Sequence, residues 1–287
     1  MEPLRENRAM AIDGGGIKGV IAARALWKLE KHLRLSSREI FSLAAGTSTG
    51  AILAAGIGVG LTGEAMHRLY TRMGPSIFRR SWRTWLWPLS RYRYPHEPLE
   101  HALRQYIGNG VMGDFWAEEP AYACWPVVKA VLASSSVPTT FPPVEGRYVD
   151  GAVGAYPNPC YVAPYEARFV LEWDPRETTL ISLGTGRAPH TLEPGDARAM
   201  WPWEWLQPVL GAFMQSADDQ QVHLVDTFFE ELDFRRFQVD LREPIGMDDA
   251  TKLSELPAYG VELGQKILDD EVDRAAEIKA VRPAPRR

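Results

Sequence analysis

The stretch Glu39-Ile40-Phe41-Ser42-Leu43-Ala44-Ala45-Gly46-Thr47-Ser48-Thr49-Gly50 decides how this 287-residue chain folds around its most informative side chain. The run from Glu39 to Ala45 predicts a short buried strand, and the small apolar residues from Thr49 to Ile57 predict a packed helix. Ser48 lies between the two, with a glycine two residues before it and another two residues after it. This spacing is typical of a sharp strand-to-helix turn that exposes a serine hydroxyl, although a plain glycine–serine turn fits the same residues.

A second glycine cluster, Asp13-Gly14-Gly15-Gly16-Ile17-Lys18-Gly19, also lies between a predicted strand and a predicted helix. Residues 9–12 before it are apolar, and apolar residues recur at helical spacing from Ile17 to Leu33 after it. Consecutive glycines let backbone N–H groups turn toward one point, where the positive end of the following helix favours an anion. We therefore expect an anion site at this cluster.

Three kinds of site could use such a cluster. Lys18 is followed by Gly19 and not by serine or threonine, which argues against a phosphate-binding P-loop. Gly14, Gly16 and Gly19 have the spacing of a dinucleotide fingerprint, but no convincing acidic residue ends a second strand about 20 residues later. An oxyanion hole, which stabilises the negative oxygen of a tetrahedral intermediate, is the use that makes chemical sense beside an exposed serine.

The general base can be sought among the six histidines and among the aspartates. His190 follows a predicted strand and loop at residues 181–187, which makes it a candidate for the late histidine of a Ser-His-Asp triad. Asp150 lies where an apolar strand end, Tyr148-Val149, meets Gly151, and a partly desolvated carboxylate can accept a serine proton directly. On spacing alone, an ordinary turn explains Asp150-Gly151 at least as well.

Residues 13–19, 46–50 and 150–152 occur in the same order as three motifs of the patatin-like phospholipases, and the chain resembles that family. Residues 133–143, Ala-Ser-Ser-Ser-Val-Pro-Thr-Thr-Phe-Pro-Pro, and residues 180–186, Leu-Ile-Ser-Leu-Gly-Thr-Gly, resemble the family as well. The resemblance spans roughly the first two thirds of the chain.

The resemblance implies a Ser-Asp dyad in place of a triad, with Ser48 as nucleophile and Asp150 as general base. It implies oxyanion N–H groups at Gly14, Gly15 and Gly16, supporting roles for Lys18 and Thr49, and motif positions at Gly19, Gly46, Gly50 and Gly151. The activity it implies is that of a phospholipase A or lysophospholipase, a lipid acyl hydrolase that cleaves carboxylic esters through an acyl-Ser48 intermediate. No metal or cofactor is expected.

Two other functions remain open on the sequence. One is a histidine-dependent esterase that uses His190, and the other is a catalytically silent lipid- or nucleotide-binding module that keeps the glycine cluster. Head group, acyl chain length and sn position depend on pocket shape, which the sequence does not give.

The stretch from residue 108 to residue 124 departs from the family pattern. Family members usually carry another strand and a hairpin-like segment here, but this chain has no full strand signal. A missing interior strand would leave the hydrogen-bonding groups of its neighbours unpaired. The sheet is expected to be one strand short, or to have part of it replaced, and stability and activity depend on which.

Composition predicts one compact enzyme. Strand and helix patterns alternate, which predicts an α/β fold, a three-layer α/β/α sandwich with a mainly parallel central sheet. The chain is 45% hydrophobic and shows no linker or repeat, so we expect a single domain at residues 1–280. Its motif-bearing core covers residues 8–190, and residues 281–287 are expected to be a disordered tail.

Charge and chain ends favour some partners and exclude others. The net charge of −5 argues against nucleic-acid binding. Cys124 and Cys160 provide no disulfide framework, and residues 1–7 lack the apolar core of a signal peptide. Without an apolar run of about 18 residues, a membrane span is not expected. We therefore expect a cytoplasmic protein that can lie at the periphery of a membrane; its lipid substrate is what the family resemblance implies.

Residues 79–94 are basic and aromatic within this acidic chain. Tryptophan and tyrosine favour the lipid headgroup region and arginine attracts anionic lipid, so this segment predicts a transient contact with a membrane surface. The aromatic residues at 201–205 could join it. Two alternatives are a cap of rings packed over the core and an oligomer interface.

Overall fold

The computed structural model describes residues 1–86, 89–115, 120–189, 200–201 and 205–275. Its strands form one all-parallel sheet in the order β2-β1-β3-β4. The strands are β1 (Asn7–Ile12), β2 (Leu43–Gly46), β3 (Thr178–Leu183) and β4 (Asp233–Phe237). The chain therefore has the α/β fold with a parallel sheet that its alternating patterns predict.

Helices connect and cover these strands. The helices of the described residues are α1 (Gly19–Leu33), α2 (Ser37–Ile40), α3 (Thr49–Gly58), α4 (Gly63–Ile77), α5 (Trp82–Trp85), α6 (Glu97–Ile107), α7 (Pro120–Ala123), α8 (Val127–Ser134), α9 (Val162–Phe169), α10 (Leu206–Phe228) and α11 (Leu256–Asp269). None of them has both the length and the apolar composition needed to cross a bilayer.

The two faces of the sheet bury different side chains, because successive residues of a strand point to opposite sides. Met10 and Ile12 of β1 belong to the larger apolar core, which the sheet shares with α1, α3, α4, α6, α8 and α11. Ala9 and Ala11 face the other way and pack with residues of α9 and α10. The sandwich therefore has three layers, α/β/α, as expected.

The strand predicted before Ser48 is shorter in the structure than in the sequence pattern. Glu39 and Ile40 belong to α2, and β2 begins only at Leu43. A capping box explains the difference: the Ser36 N–H donates to the Glu39 carboxylate at 2.7 Å, and the Ser36 hydroxyl accepts from the Glu39 N–H. Local side-chain hydrogen bonds thus start a helical turn in a run that reads as strand.

The predicted strand end before Asp150 is wrong. Tyr148 makes only an isolated antiparallel bridge to Val144, and Asp150 lies in an irregular loop before a short 3-10 helix at Gly151–Gly154. Glu145 and Gly146 form the tight turn between the bridge residues, both with positive φ. A two-residue bridge is too short to extend the parallel sheet, so Asp150 approaches the site from outside it.

The stretch from residue 108 to residue 124 contains no strand in its described part, residues 108–115 and 120–124. It contains a 3-10 turn at Met112–Asp114, the short helix α7, and an isolated bridge from Val111 to Pro126. The lack of a full strand signal here agrees with the structure. Residues 281–287, for which the sequence predicts a disordered tail, lie outside the described residues.

Candidate active site

Three chain segments meet at the carboxyl edge of the sheet because the strand register brings their ends level. Ile12 at the end of β1 lies opposite Gly46 of β2 on one side and Leu183 of β3 on the other. The glycine cluster, the serine turn and Thr185 therefore leave the sheet side by side. This edge is where parallel α/β sheets generally bind ligands.

Ser48 lies on a backbone that few residues with a side chain adopt. Its φ is 55° and its ψ is −120°, and the residue is 6% exposed. A Cβ on Gly46 would lie 2.0 Å from the Gly50 carbonyl oxygen, and a Cβ on Gly50 would lie 2.0 Å from the Ile12 carbonyl oxygen. Only glycine fits at both flanking positions, so this is the strained elbow that the spacing predicts.

Three serines at the end of α8 surround the dyad candidates. The Ser48 N–H donates to the Ser134 hydroxyl at 3.0 Å, and the Ser135 hydroxyl donates to the Ser48 carbonyl at 3.1 Å. The Ser136 carbonyl accepts from the Asp150 N–H at 3.0 Å. Residues 134–136 thus connect the elbow to the loop of Asp150, a role that the sequence patterns do not reveal.

The glycine cluster presents two free N–H groups next to Ser48. The Gly14 N–H donates to the Pro157 carbonyl at 2.8 Å, whereas those of Gly15 and Gly16 have no hydrogen-bond partner among the described residues. Gly16 has φ of 61°, and a Cβ there would lie 2.2 Å from the Met247 carbonyl oxygen. Gly14 therefore supports the loop, while Gly15 and Gly16 can donate to a ligand.

The first turn of α3 adds a third free donor and a polar support. The N–H of Thr49, the first residue of α3, also has no partner in the described part of the chain. Its side chain hydrogen-bonds the Tyr70 hydroxyl, which in turn donates to the Thr49 carbonyl at 3.2 Å. Gly19 allows this close approach, because a Cβ there would lie 2.2 Å from Thr49 Oγ1.

Lys18 is largely buried beside the cluster. Its Cε lies 3.6 Å from where a Cβ on Gly15 would be, and its ammonium forms no salt bridge with a described residue. Burial lowers the pKa of Lys18 from its ordinary value. The end of the Lys18 side chain therefore lies beside Gly15, one of the two residues with a free N–H group.

Asp150 is buried and only partly hydrogen-bonded. It is 2% exposed, and its Oδ1 accepts from the Ala152 N–H at 2.9 Å. Burial raises the pKa of Asp150 to about 6, and hydrogen bonding from the Ser48 hydroxyl and the Ala152 N–H opposes that rise. The Ser48 hydroxyl lies outside strict hydrogen-bond geometry, so Oδ2 has no well-formed partner. Such loose contacts are common where no substrate is bound. The next residue, Gly151, does not have a positive φ. A Cβ added to it would lie 3.3 Å from Thr47 Cγ2.

An apolar cavity of about 530 Å³, counted with the part that opens to solvent, begins at Ser48. Its walls come from the large core on one side of the sheet. The lining residues are Gly16, Ile17, Ser48, Thr49, Ile52, Leu69, Tyr70, Gly74, Ile77, Phe78, Leu99, Ser135, Val137, Thr140, Phe141 and Met247. A hydrocarbon chain fits such a lining, because it offers few hydrogen-bonding groups.

A buried ion network lies under the glycine cluster. Arg236 of β4 binds Asp13 with both of its terminal nitrogens, and it also reaches Asp218 of α10 at 3.2 Å. Burial raises the pKa of Asp13, and the Arg236 guanidinium opposes that rise. The network fixes the end of β1, from which the cluster begins.

The histidine alternative gains no support from the described residues. His190 lies outside them, and none of the other five histidines hydrogen-bonds to Ser48 or Asp150. His96 is linked to Asp150 through Ser136. Its Nε2 lies 3.1 Å from the Ser136 hydroxyl, and the Ser136 carbonyl accepts from the Asp150 N–H. No group of three or more potential metal ligands occurs within the described ranges.

A parallel sheet that carries a glycine-flanked serine elbow at its carboxyl edge defines an α/β protein of the nucleophile-elbow class. The family model of the patatin-like phospholipases matches residues 10–122, which include the glycine cluster and Ser48; Asp150 lies beyond the match. Over those residues the chain is similar to the patatin-like phospholipase family.

Curated relatives carry phospholipase names. The chain is 25% identical to the calcium-independent phospholipase A2-gamma of Rattus norvegicus, over 96% of this chain and 40% of that protein. It is 26% identical to the 85/88 kDa calcium-independent phospholipase A2 of the same organism, over 74% of this chain and 31% of that protein. It is also 26% identical to the cUMP-AMP-activated phospholipase of Escherichia coli, over 83% of this chain and 82% of that protein. The chain thus spans two fifths or less of the two rat relatives.

Proposed function

We propose that this chain is a lipid acyl hydrolase of the phospholipase A or lysophospholipase type, which cleaves carboxylic esters through an acyl-Ser48 intermediate. The observation that carries the proposal is the pairing of two unusual groups. Ser48 lies on a strained elbow and lines an apolar cavity, and the buried Asp150 beside it keeps one carboxylate oxygen without a well-formed partner.

Asp150 acts as the general base in this proposal. Its raised pKa, about 6, brings the proton affinity of the carboxylate closer to that needed for exchange with a serine hydroxyl and an alcohol. As Ser48 Oγ attacks the ester carbonyl carbon, its proton passes to Asp150 Oδ2. When the tetrahedral intermediate collapses, the C–O bond to the alcohol breaks and Asp150 returns the proton to the leaving oxygen.

The free N–H groups of Gly15 and Gly16 stabilise the developing oxyanion. Preorganised donors of this kind contribute about 3–4 kcal/mol each where they have been removed singly. The free Thr49 N–H at the first turn of α3 also favours an anion, and Lys18, whose Cε lies beside Gly15, supports the same site in this proposal. In the second half of the cycle Asp150 takes a proton from the water that attacks the acyl carbonyl. When this second tetrahedral intermediate collapses, the C–Oγ bond breaks, Asp150 returns the proton to Ser48 Oγ, and a carboxylic acid leaves.

The lipid part of the proposal is supported by the apolar lining of the cavity and by the phospholipase names of the relatives. An acyl chain that extends from Ser48 along Ile52, Leu69 and Phe78 would lose contact with water over much of its length. Each buried methylene contributes about 0.8 kcal/mol, so long-chain esters gain affinity over short ones until the cavity is filled.

The test compares wild type with Ser48→Ala and Asp150→Asn. The assays follow hydrolysis of a soluble p-nitrophenyl ester and of phospholipid vesicles. We expect both variants to lose about 10³-fold or more in kcat, because members of a catalytic unit act together. A fluorophosphonate probe should label Ser48 in the wild type and in Thr62→Ala, a matched hydroxyl change at the distant start of α4. Full turnover in either dyad variant would refute the dyad.

The two alternative functions give different results in the same assays. A histidine-dependent esterase predicts that His190→Ala abolishes turnover while Asp150→Asn spares it. A silent binding module predicts no fluorophosphonate labelling of the wild type together with measurable lipid or nucleotide binding. Either pattern would rule out hydrolysis by a Ser48–Asp150 dyad.

A further inference from the structure

An arginine–tryptophan surface lies outside the proposed catalytic machinery. It consists of Arg79, Arg80, Trp82, Arg83, Trp85, Leu86, Leu89 and Arg91. Trp85 and Leu89 are each 84% exposed and Trp82 is 61% exposed, so these side chains do not cap the core. Tyr94, at the end of the segment, packs inside, as does the small side chain of Ser90. Large apolar side chains this exposed and this close together mark an interaction site.

The charges on this surface are of one sign. No acidic residue occurs between Phe78 and His96, although the whole chain carries a net charge of −5. Within the described ranges Arg79, Arg80, Arg83 and Arg91 form no salt bridge with a carboxylate. Arg83 instead stacks between Trp82 and Tyr92, 4.7 Å from each ring centre. The surface is therefore a basic area on an acidic protein.

Both ends of the segment adjoin or contact residues that line the cavity at Ser48. Phe78 lines the cavity, and its ring contacts that of Tyr94 edge to face at 5.4 Å. At the other end, the Arg93 and Tyr94 N–H groups donate to the Thr139 and Thr140 carbonyls at 3.0 and 2.9 Å. The exposed part of the segment is thus fixed at the edge of the cavity.

Asp248 links the segment to the glycine cluster. Its Oδ2 accepts from Arg93 Nη1 at 3.2 Å and from the Tyr94 hydroxyl at 3.0 Å. The preceding residue, Met247, lines the cavity and accepts the Ile17 N–H at 2.8 Å. A short path through Asp248 and Met247 therefore joins Arg93 and Tyr94, at the end of the segment, to the loop that presents Gly15 and Gly16.

We propose that the arginine–tryptophan surface docks this chain on an anionic phospholipid bilayer, with Trp82, Trp85 and Leu89 in the interface. The four unpaired arginines face lipid phosphates, and the cavity edge at Phe78 meets the acyl chains. Tryptophan is favoured in the headgroup region, and each arginine near an anionic surface contributes an attraction that salt screens. The proposal rests on the proposed function in one respect, that the bilayer contains the substrate. Binding to the bilayer does not itself require catalysis.

Binding is therefore measured with the full chain carrying Ser48→Ala, by co-sedimentation with vesicles of phosphatidylcholine with and without phosphatidylglycerol. Trp85→Ala with Leu89→Ala removes the two most exposed apolar side chains and should lower binding at least tenfold. Neutralising Arg79 and Arg80 with glutamine should lower binding to the anionic vesicles about fivefold per arginine, the fold-change that corresponds to about 1 kcal/mol. Added salt should weaken wild-type binding in the same vesicles.

Phe169→Ala is the matched control. Phe169 is 63% exposed, like Trp82, but it ends α9 in the opposite layer of the sandwich. This change should leave vesicle binding unaltered. With Ser48 restored, Trp85→Ala with Leu89→Ala should reduce hydrolysis of vesicles and leave hydrolysis of a soluble ester unchanged, which separates a docking defect from a catalytic one.

Three results would overturn the docking surface. One is equal vesicle binding by the Trp85/Leu89 variant and by Phe169→Ala. Another is wild-type vesicle binding that is unchanged by the presence of phosphatidylglycerol and by added salt. The third is a dimer that the Trp85/Leu89 change dissociates, together with no vesicle binding by the wild type, which would assign this surface to a second copy of the chain. Loss of soluble-ester turnover in Ser48→Ala tests the hydrolase function separately.

Discussion

Ser48 lies on a backbone that regular elements fix on both sides, whereas Asp150 lies in an irregular loop held by a few hydrogen bonds. β2 ends just before Ser48 and α3 begins just after it. Asp150 depends on the Ser136 carbonyl, 14 residues earlier in the chain, and on a turn with Ala152. The nucleophile candidate is positioned by its immediate neighbours, and the base candidate by residues that the fold brings near.

This difference places the two halves of the proposed dyad under different constraints. Around the elbow, backbone atoms contact backbone atoms, and these cannot move without displacing a strand. Around Asp150 the nearest restraints are side chains and single hydrogen bonds, which can adjust by a few tenths of an ångström. We therefore expect substitutions near the elbow to affect folding and chemistry together, and those near Asp150 to affect chemistry more than folding.

The largest effect on stability is expected from Arg236→Leu. This change removes the guanidinium that binds Asp13 at the start of the glycine cluster. It would leave Asp13 buried without its bidentate partner, and breaking a buried ion pair costs about 3–5 kcal/mol. Urea unfolding followed by circular dichroism measures the change. Arg176→Leu, which breaks an exposed pair with Asp174, is the control and should leave the midpoint unchanged. Equal midpoints for the two variants would contradict a supporting role for Arg236.

Gly50→Ala and Gly151→Ala test the comparison directly, one on each side of the site. The new Cβ would lie 2.0 Å from the Ile12 carbonyl oxygen in the first and 3.3 Å from a Thr47 methyl in the second. We expect Gly50→Ala to cost about 1–3 kcal/mol or more and to abolish turnover, because the backbone of β1 must move. Gly151→Ala should keep the fold and most activity. Similar melting temperatures and rates for both variants would show that the two sides are equally adaptable.

The pH dependence of turnover tests the Asp150 side of the site. Asp150 accepts a proton only when ionised, and its pKa is raised to about 6. We expect kcat/KM on a soluble ester to be level above pH 7 and to fall about tenfold per pH unit well below 6. The raised pKa also means that the folded chain loses stability as pH rises from about 4 to 6. Asp150→Asn should therefore melt at a higher temperature than wild type at pH 8. A rate that stays level down to pH 4 would exclude Asp150 as the base.

The smallest effect is expected at the contact that joins the two halves. Ser134→Ala removes the acceptor of the Ser48 N–H, and a buried donor without a partner costs about 1–3 kcal/mol. We expect kcat to fall up to about tenfold with KM unchanged, because the elbow shifts and the cavity does not. Ser76→Ala, whose hydroxyl bonds only within α4, is the control. A kcat equal to that of the control would mean that Ser134 does not position Ser48.

The same contrast explains how much the sequence could predict. The elbow and the glycine cluster are local patterns, so glycine spacing and flanking apolar runs identify β1, the carboxyl part of β2, and α3. The small side chains Ala9 and Ala11 and the larger Met10 and Ile12 likewise anticipate a sheet covered on both faces. Residues 39–40 read as strand but are helical, because the Ser36–Glu39 capping box outweighs two β-compatible residues.

The remaining features depend on contacts between distant parts of the chain. The role of Asp150 rests on a family resemblance and not on its neighbours, which read as a strand end and form a loop. Arg236 joins Asp13 across more than 200 residues, and no spacing rule reports such a pair. The three serines at 134–136 are visible in the sequence, but the link that they make between Ser48 and Asp150 follows only from the fold. The hydrogen bond from Gly14 to Pro157 follows only from the three-dimensional fold.

At Ser48, the side chain that the proposed reaction needs lowers the stability of the fold. With φ of 55° and ψ of −120°, a serine there carries about 1–3 kcal/mol of conformational strain, which glycine would largely avoid. A Ser48→Gly descendant would therefore fold at least as well as its parent while losing the hydroxyl. Selection for a folded, abundant protein would not remove such descendants, and only selection for turnover would keep the serine in each generation.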